Sequence, residues 1–140
     1  MLITHQISSQ LDLVPKFISS VIEALKKENS LSEEDIFHIR LVLEEALTNA
    51  MRHGNKLNPA LEVSVQIKFE KDQLMIDVKD QGEGFDYERV PNPTKGDRLL
   101  MTSGRGVFLM KKYVDHMEFY EGGRGIRMIK NLHPDKRGKV

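Results

Sequence analysis

The chain has 140 residues, and its 21 Lys and Arg balance 21 Asp and Glu to a formal net charge of zero. That length suits one compact domain and is short for two, while the absence of cysteine removes disulfide frameworks, thiolate metal sites and thiol nucleophiles. Charge balance excludes a broad basic surface for nucleic acid or anionic membrane, and no apolar run approaches the roughly 20 residues of a spanning helix. The first residues, MLITHQISSQ, show no basic segment leading into an apolar one. The expectation is a soluble cytoplasmic protein that binds neither nucleic acid nor membrane.

Residues 2–8 read as a short strand. A helix is expected from about Gln10 to Lys27, because Val14, Phe17, Ile18, Val21, Ile22 and Leu25 recur at three- and four-residue spacing. Ser8 or Ser9 is placed to cap it, and Pro15 falls in its first turns, where proline is tolerated. Ser32-Glu33-Glu34-Asp35 announces a second helix with capping-box character, running to about Arg52 and stopping near His53-Gly54-Asn55. Its core stripe is Ile36, Ile39, Leu43, Ala46, Leu47 and Ala50. Glu45 and Asn49, four apart, stack on a separate face.

Beyond Pro59, Leu61, Val63, Val65, Ile67 and Phe69 alternate with polar residues, as in a half-buried antiparallel strand. Lys71-Asp72-Gln73 turns the chain into a second strand with Leu74, Ile76 and Val78 on one side. Asp80 continues that parity, so it should face the core at the strand's end. Residues 81–103 are rich in Gly, Pro and charge, and an irregular segment of this length predicts a functional lid. A helix from about Arg105 to Val114 follows. Strands around Met117–Tyr120 and Ile126–Leu132, joined at Gly122-Gly123, close the pattern, and residues 133–140 form a basic, frayed tail.

Three features carry chemistry. An amide oxygen and a carboxylate one turn apart, Asn49 and Glu45, suit a divalent cation and the orientation of a nucleophile. Asp80, with Gly82 and Gly84 behind it, puts a carboxylate at a buried position, where it needs a donor such as the exocyclic amine of a base. Ser103-Gly104-Arg105-Gly106 runs into a helix, whose free amides and arginine form an anion site. Singly, each has an ordinary explanation: a solvated helix face, a chain-reversing turn, a loop-to-helix turn. Their order along one short chain is far more specific.

That ordered set resembles the GHKL ATPase superfamily and, within it, the small anti-sigma-factor serine kinases of bacteria. Glu45-Ala46-Leu47-Thr48-Asn49-Ala50 is similar to the family's N box, and Asp80-x-Gly82-x-Gly84-Phe85 to its first glycine box. Ser103-Gly104-Arg105-Gly106-Val107-Phe108-Leu109-Met110 is similar to its second. The resemblance implies the Bergerat fold, a two-layer α/β sandwich with a mixed, mainly antiparallel sheet and three helices on one face.

By the same resemblance the cofactors are ATP and Mg²⁺. Asn49 is the metal ligand, Asp80 accepts from the adenine amino group, and Gly82 and Gly84 let backbone approach the base. Gly104, Arg105, Gly106, Val107 and Phe108 offer backbone donors to the phosphates, with His53 nearby. Glu45 is the general base, and Glu44, about 100° away on the helix, is the weaker candidate. The implied partners are an anti-sigma-factor antagonist, phosphorylated by the kinase, and a sigma factor held inactive. A homodimer through the N-terminal strand and first helix is a form the family often takes. One departure is Gly125, standing where the family's last strand usually carries a threonine near adenine. The alternatives are a nucleotide-gated binding protein of this fold without kinase activity and a free-standing ATPase domain of histidine-kinase type.

Overall fold

Strict alternation builds the middle of the sheet. Strands β2 (Glu62–Glu70) and β3 (Gln73–Lys79) pair antiparallel, joined through Lys71 and Asp72 at φ 52° and 61°. Two successive positive φ values give the turn a twist that matches the strands it connects. In this computed structural model residues 1–82 and 101–132 are described, residues 101–105 as backbone alone. Most of the expected lid, including Gly84, and the 133–140 tail lie outside the described residues.

Strand β1 (Leu2–Ser8) pairs with β2, strand β5 (Gly125–Asn131) with β3, and strand β4 (His116–Tyr120) with β5. The five-stranded order is β1-β2-β3-β5-β4. Each of these pairings is antiparallel. β3 and β4 run parallel, but β5 returns between them by a tight connection, so the expected mixed sheet has no parallel neighbours among the described strands.

Helices α1 (Val14–Glu28), α2 (Glu33–Asn49) and α3 (Met101–Tyr113) cover one face. The core joins Val21, Ile22 and Leu25 of α1, Ile39, Leu43 and Leu47 of α2 and Met110 of α3 to Val65, Ile76 and Met128 of the sheet. Each side chain this deeply buried contributes roughly 1.5–3 kcal/mol by removal from water. The α1 stripe is the one its spacing predicts. Its capping is not: Ser8 and Ser9 donate to the carbonyls of Pro59 and Leu61, tying β1 to the loop before β2, and a short 3₁₀ turn (Leu11–Leu13) leads into the helix without a side-chain cap. Ser32 does cap α2, accepting from the Asp35 amide at 3.0 Å.

Two departures bear on the site. The regular α-helix of α2 ends at Asn49, and Ala50–Gly54 form one π turn, closed by the Asn55 amide donating to the Ala50 carbonyl at 2.8 Å. Such turns trade regular hydrogen bonding for a re-aimed backbone. α3 begins at Met101, four residues before the expected Arg105, so Gly104 lies inside the helix instead of ahead of it, as Gly106 was already expected to.

Candidate active site

Helix α2 sets Glu45 and Asn49 one turn apart. Both are partly buried, whereas Glu44 is exposed. The exposure of Glu44 follows from its rotation around the axis, and it leaves Glu45 as the carboxylate inside the site. Burial pushes the Glu45 carboxyl above the ordinary carboxylate value, and the charge of Glu44 adds to the rise.

The wall facing them is the backbone of α3. A Cβ added at Gly106 would stand 2.7 Å from Glu45 Oε2 and 3.0 Å from Asn49 Nδ2. Glycine therefore lets α3 rest directly on the two polar side chains. Val107 is buried beside it and Phe108 is 48% exposed. Gly104 lies in the first turn of α3, where amides lack helical partners. Gly106, Val107 and Phe108 lie beyond that turn, so in this arrangement their amides belong to the helix's own ladder.

The second half of the site is built around Asp80. It is 6% exposed, at the core-facing parity that the alternation of β3 predicts. Its Oδ1 accepts from the Gly82 amide at 2.8 Å. Burial raises its pKa above the ordinary value, opposed by the Gly82 hydrogen bond and the charge of Arg124. The turn after it is held on several sides. The Gln81 amide donates to Asn55 Oδ1 at 2.8 Å, the Glu62 amide to Gln81 Oε1 at 2.7 Å, and Arg124 Nε to the Gly82 carbonyl at 2.6 Å. The Asp80 amide donates to the Arg124 carbonyl at 2.9 Å.

His53 lies in the π turn, exposed. Partial desolvation of its ring, followed by the charge of Arg52, lowers its pKa from the ordinary histidine value.

The π turn joins the two halves. A Cβ at Gly54 would lie 2.1 Å from Asp80 Oδ2, and one at Gly82 would lie 1.9 Å from the Gly54 carbonyl oxygen. Gly54, Asp80 and Gly82 thus pack backbone against carboxylate with no room for a side chain.

Gly54, Asn55 and Arg124 are missing from the residues that the sequence pointed to. Gly54-Asn55 has the form of a helix stop, and that signal hid a packing role. Gly125 packs against the neighbouring strand. Its Cβ position would be 2.2 Å from the Tyr120 ring, and it pairs with Lys79, so it faces away from Asp80. The residue of that segment beside Asp80 is Arg124.

The donor chemistry fits a magnesium nucleotide. Among the described residues no group of three or more His, Asp or Glu gathers to hold a metal alone. Mg²⁺ commonly takes one or two protein oxygens and completes its shell with water and substrate phosphates. The Asn49 carboxamide oxygen is a donor of that kind.

Comparison with known proteins agrees with this geometry. Residues 7–130 match the histidine kinase-like ATPase domain. The chain is 32% identical over 114 residues to the serine-protein kinase RsbW of Staphylococcus epidermidis, covering 75% of this chain and 71% of that protein. It is 31% identical over 112 residues to the serine-protein kinase RsbW of Staphylococcus aureus strain JH9, covering 74% and 70%. Glu45, Asn49 and Asp80 lie within the matched span, on the helix and strand end that frame the site. The chain therefore belongs to the histidine kinase-like ATPase family, the GHKL superfamily, and stands within it alongside the RsbW serine-protein kinases.

Proposed function

We propose that this protein transfers the γ-phosphoryl group of Mg-ATP to a serine or threonine hydroxyl of an anti-sigma-factor antagonist, and that it holds a sigma factor inactive when bound to it. The observation that carries this reading is the juxtaposition of Glu45 and Asn49 on one face of α2 against the bare backbone of Gly106, with Asp80 buried beyond the π turn. The kinase relatives named above support it.

Glu45 takes the proton from the incoming hydroxyl as it attacks phosphorus. Its pKa, raised by burial and by Glu44, makes it a better proton acceptor than an ordinary surface carboxylate. Asn49 would hold Mg²⁺, which supplies neutralisation of phosphate charge when bound. Asp80 accepts from the exocyclic amine of adenine, and Gly82 and Gly84 flank the base. The amides of Gly104, Arg105, Gly106, Val107 and Phe108 would hold the phosphates, which requires α3 to start later than Met101. Two glycines in that stretch lower the cost of unwinding it. His53 contributes as a hydrogen-bonding group near the phosphates. β1 is an edge strand with Leu2 62% exposed, which supports pairing of two copies there.

The test is phosphotransfer from Mg-ATP to a purified antagonist, alongside nucleotide titration. Glu45→Ala is expected to abolish transfer and keep nucleotide affinity, while Asn49→Ala loses Mg-ATP binding. Undiminished transfer by Glu45→Ala rejects the base, and equal Mg-ATP affinity in wild type, Asn49→Ala and Asp80→Asn rejects the pocket.

A further inference from the structure

Asn55 is 1% exposed and uses both ends of its carboxamide. Its Oδ1 accepts from the Gln81 amide at 2.8 Å, and its Nδ2 donates to Ser9 Oγ at 2.9 Å and to the Glu62 carbonyl at 3.1 Å. Its own amide closes the π turn onto Ala50. One side chain thus ties the end of β1, the start of β2 and the segment after β3 to the end of α2. An aspartate lacks the donor for Ser9 and Glu62, and a serine is too short to reach all three partners.

Two of these ties converge on Asp80. Gln81 is its neighbour in the chain, so the bond to Oδ1 of Asn55 fixes the peptide leaving Asp80. Gly54 is the neighbour of Asn55, and its backbone packs against the Asp80 carboxylate. Asn55 therefore sets the two surfaces between which that carboxylate is held, with its own carboxamide spent on Gln81, Ser9 and Glu62. We infer that Asn55 is the positioning residue for base recognition, and that the preference of the site for a 6-aminopurine depends on its carboxamide. This inference rests on the nucleotide reading proposed above. A bond to a misplaced acceptor weakens steeply with distance and angle, and a site built to hydrogen-bond an amine discriminates against analogues that lack it.

The experiment titrates wild type, Asn55→Ala, Asn55→Ser and Ser9→Ala with Mg-ATP and with Mg-ITP, whose base carries a carbonyl in place of the amine. Wild type is expected to prefer ATP. Asn55→Ala is expected to lose about tenfold in ATP affinity with ITP changed by less than about twofold, so the preference shrinks. Ser9→Ala, which leaves the Gln81 bond intact, keeps the preference. Without nucleotide, hydrogen exchange at the Gln81 amide is expected to quicken in Asn55→Ala. Asn55→Ser carries the same expectation where Asn55→Ala does not fold. ATP and ITP affinities that fall together in a folded variant, or a preference that does not change, overturn the positioning role and leave the nucleotide site standing. Wild type that binds neither nucleotide overturns the nucleotide reading and this inference with it, whereas wild type that binds both equally overturns the amine contact of Asp80 and this inference and leaves nucleotide binding standing.

Discussion

Gly54 and Asp80 are in contact so close that one constrains the identity of the other: a Cβ on Gly54 would fall 2.1 Å from Asp80 Oδ2 and 2.2 Å from its Cγ. Real side chains do not approach to that distance, so Gly54→Ala must displace the carboxylate or open the π turn. Overpacking of this kind costs about 1–3 kcal/mol. Gly54→Ala is therefore expected to lower folding stability by that amount in urea denaturation. It should also weaken Mg-ATP binding by about tenfold or more, the loss of one charge-assisted hydrogen bond. Wild-type affinity in this variant would mean that Asp80 does not need its present position.

Gly106 is a different case, because its neighbours can yield. The atoms nearest its Cβ position are the ends of the Glu45 and Asn49 side chains. Both can rotate away. Alanine also favours helix by about 1 kcal/mol over glycine. Gly106→Ala is expected to leave stability unchanged or slightly raised while slowing single-turnover phosphotransfer by about tenfold or more, since small displacements of reacting groups are costly. Transfer at the wild-type rate in a stabilised variant would remove Gly106 from the site.

The contrast between those two glycines shows what the amino-acid order reveals. Periodicity exposes the faces of α1, α2, β2 and β3, because burial acts on every second or every third and fourth residue along an element. Asp80 was legible for the same reason, by its parity. Gly54, Asn55 and Arg124 were not, because contacts that define them lie far off in the chain, Gln81 26 residues from Asn55 and Gly82 42 from Arg124, and no local pattern marks such contacts. The start of α3 was misplaced because a glycine before an amphipathic run reads as a boundary, whereas the helix extends back to Met101. Gly125 is fixed by a contact between strands. Its partner is the Tyr120 ring on the neighbouring strand, whose hydroxyl bonds to Asp77.

Away from the site, Lys130 is 7% exposed on the helix-facing side of β5. Its ammonium donates to the Tyr113 carbonyl at the end of α3 at 3.1 Å, and lies 3.9 Å from Asp35 Oδ1 and 3.5 Å from His38 Nδ1. A cation suits the carbonyl end of a helix. Lys130→Met is expected to destabilise the fold by about 1–3 kcal/mol, because the Tyr113 carbonyl loses its donor. His38 reports on the same cluster. Burial, then Lys130, lowers its pKa below 6.5, with Glu34 and Asp35 opposing. A depressed histidine adds stability above its unfolded value that is lost as pH falls through 6.5 toward the folded one. In Lys130→Met the His38 titration followed by NMR should move partway back toward 6.5 and stay below it, since burial remains. An unmoved titration would show that the ammonium does not act on the ring.

Asp80 gives the opposite sign. Its folded pKa is raised above 3.8, chiefly by burial, so the native state holds its proton more tightly than the unfolded chain does. Between the two values the folded protein binds more protons, and stability falls as pH rises. Above the folded value the full cost of the buried charge is present. Asp80→Asn removes that charge and leaves a carbonyl oxygen able to accept from the Gly82 amide. Without nucleotide, Asp80→Asn is therefore expected to be more stable than wild type at neutral pH, with the difference narrowing as pH falls toward 3.8. In Mg-ATP titrations the same variant is expected to bind more weakly, because its acceptor is uncharged and its amide group can meet the base with a donor instead. Greater stability joined to poorer binding would identify Asp80 as a charge kept for the ligand at the expense of the fold. Lower stability across the whole pH range would instead make it a structural residue, held by Gly82 and Arg124 for the sake of the turn.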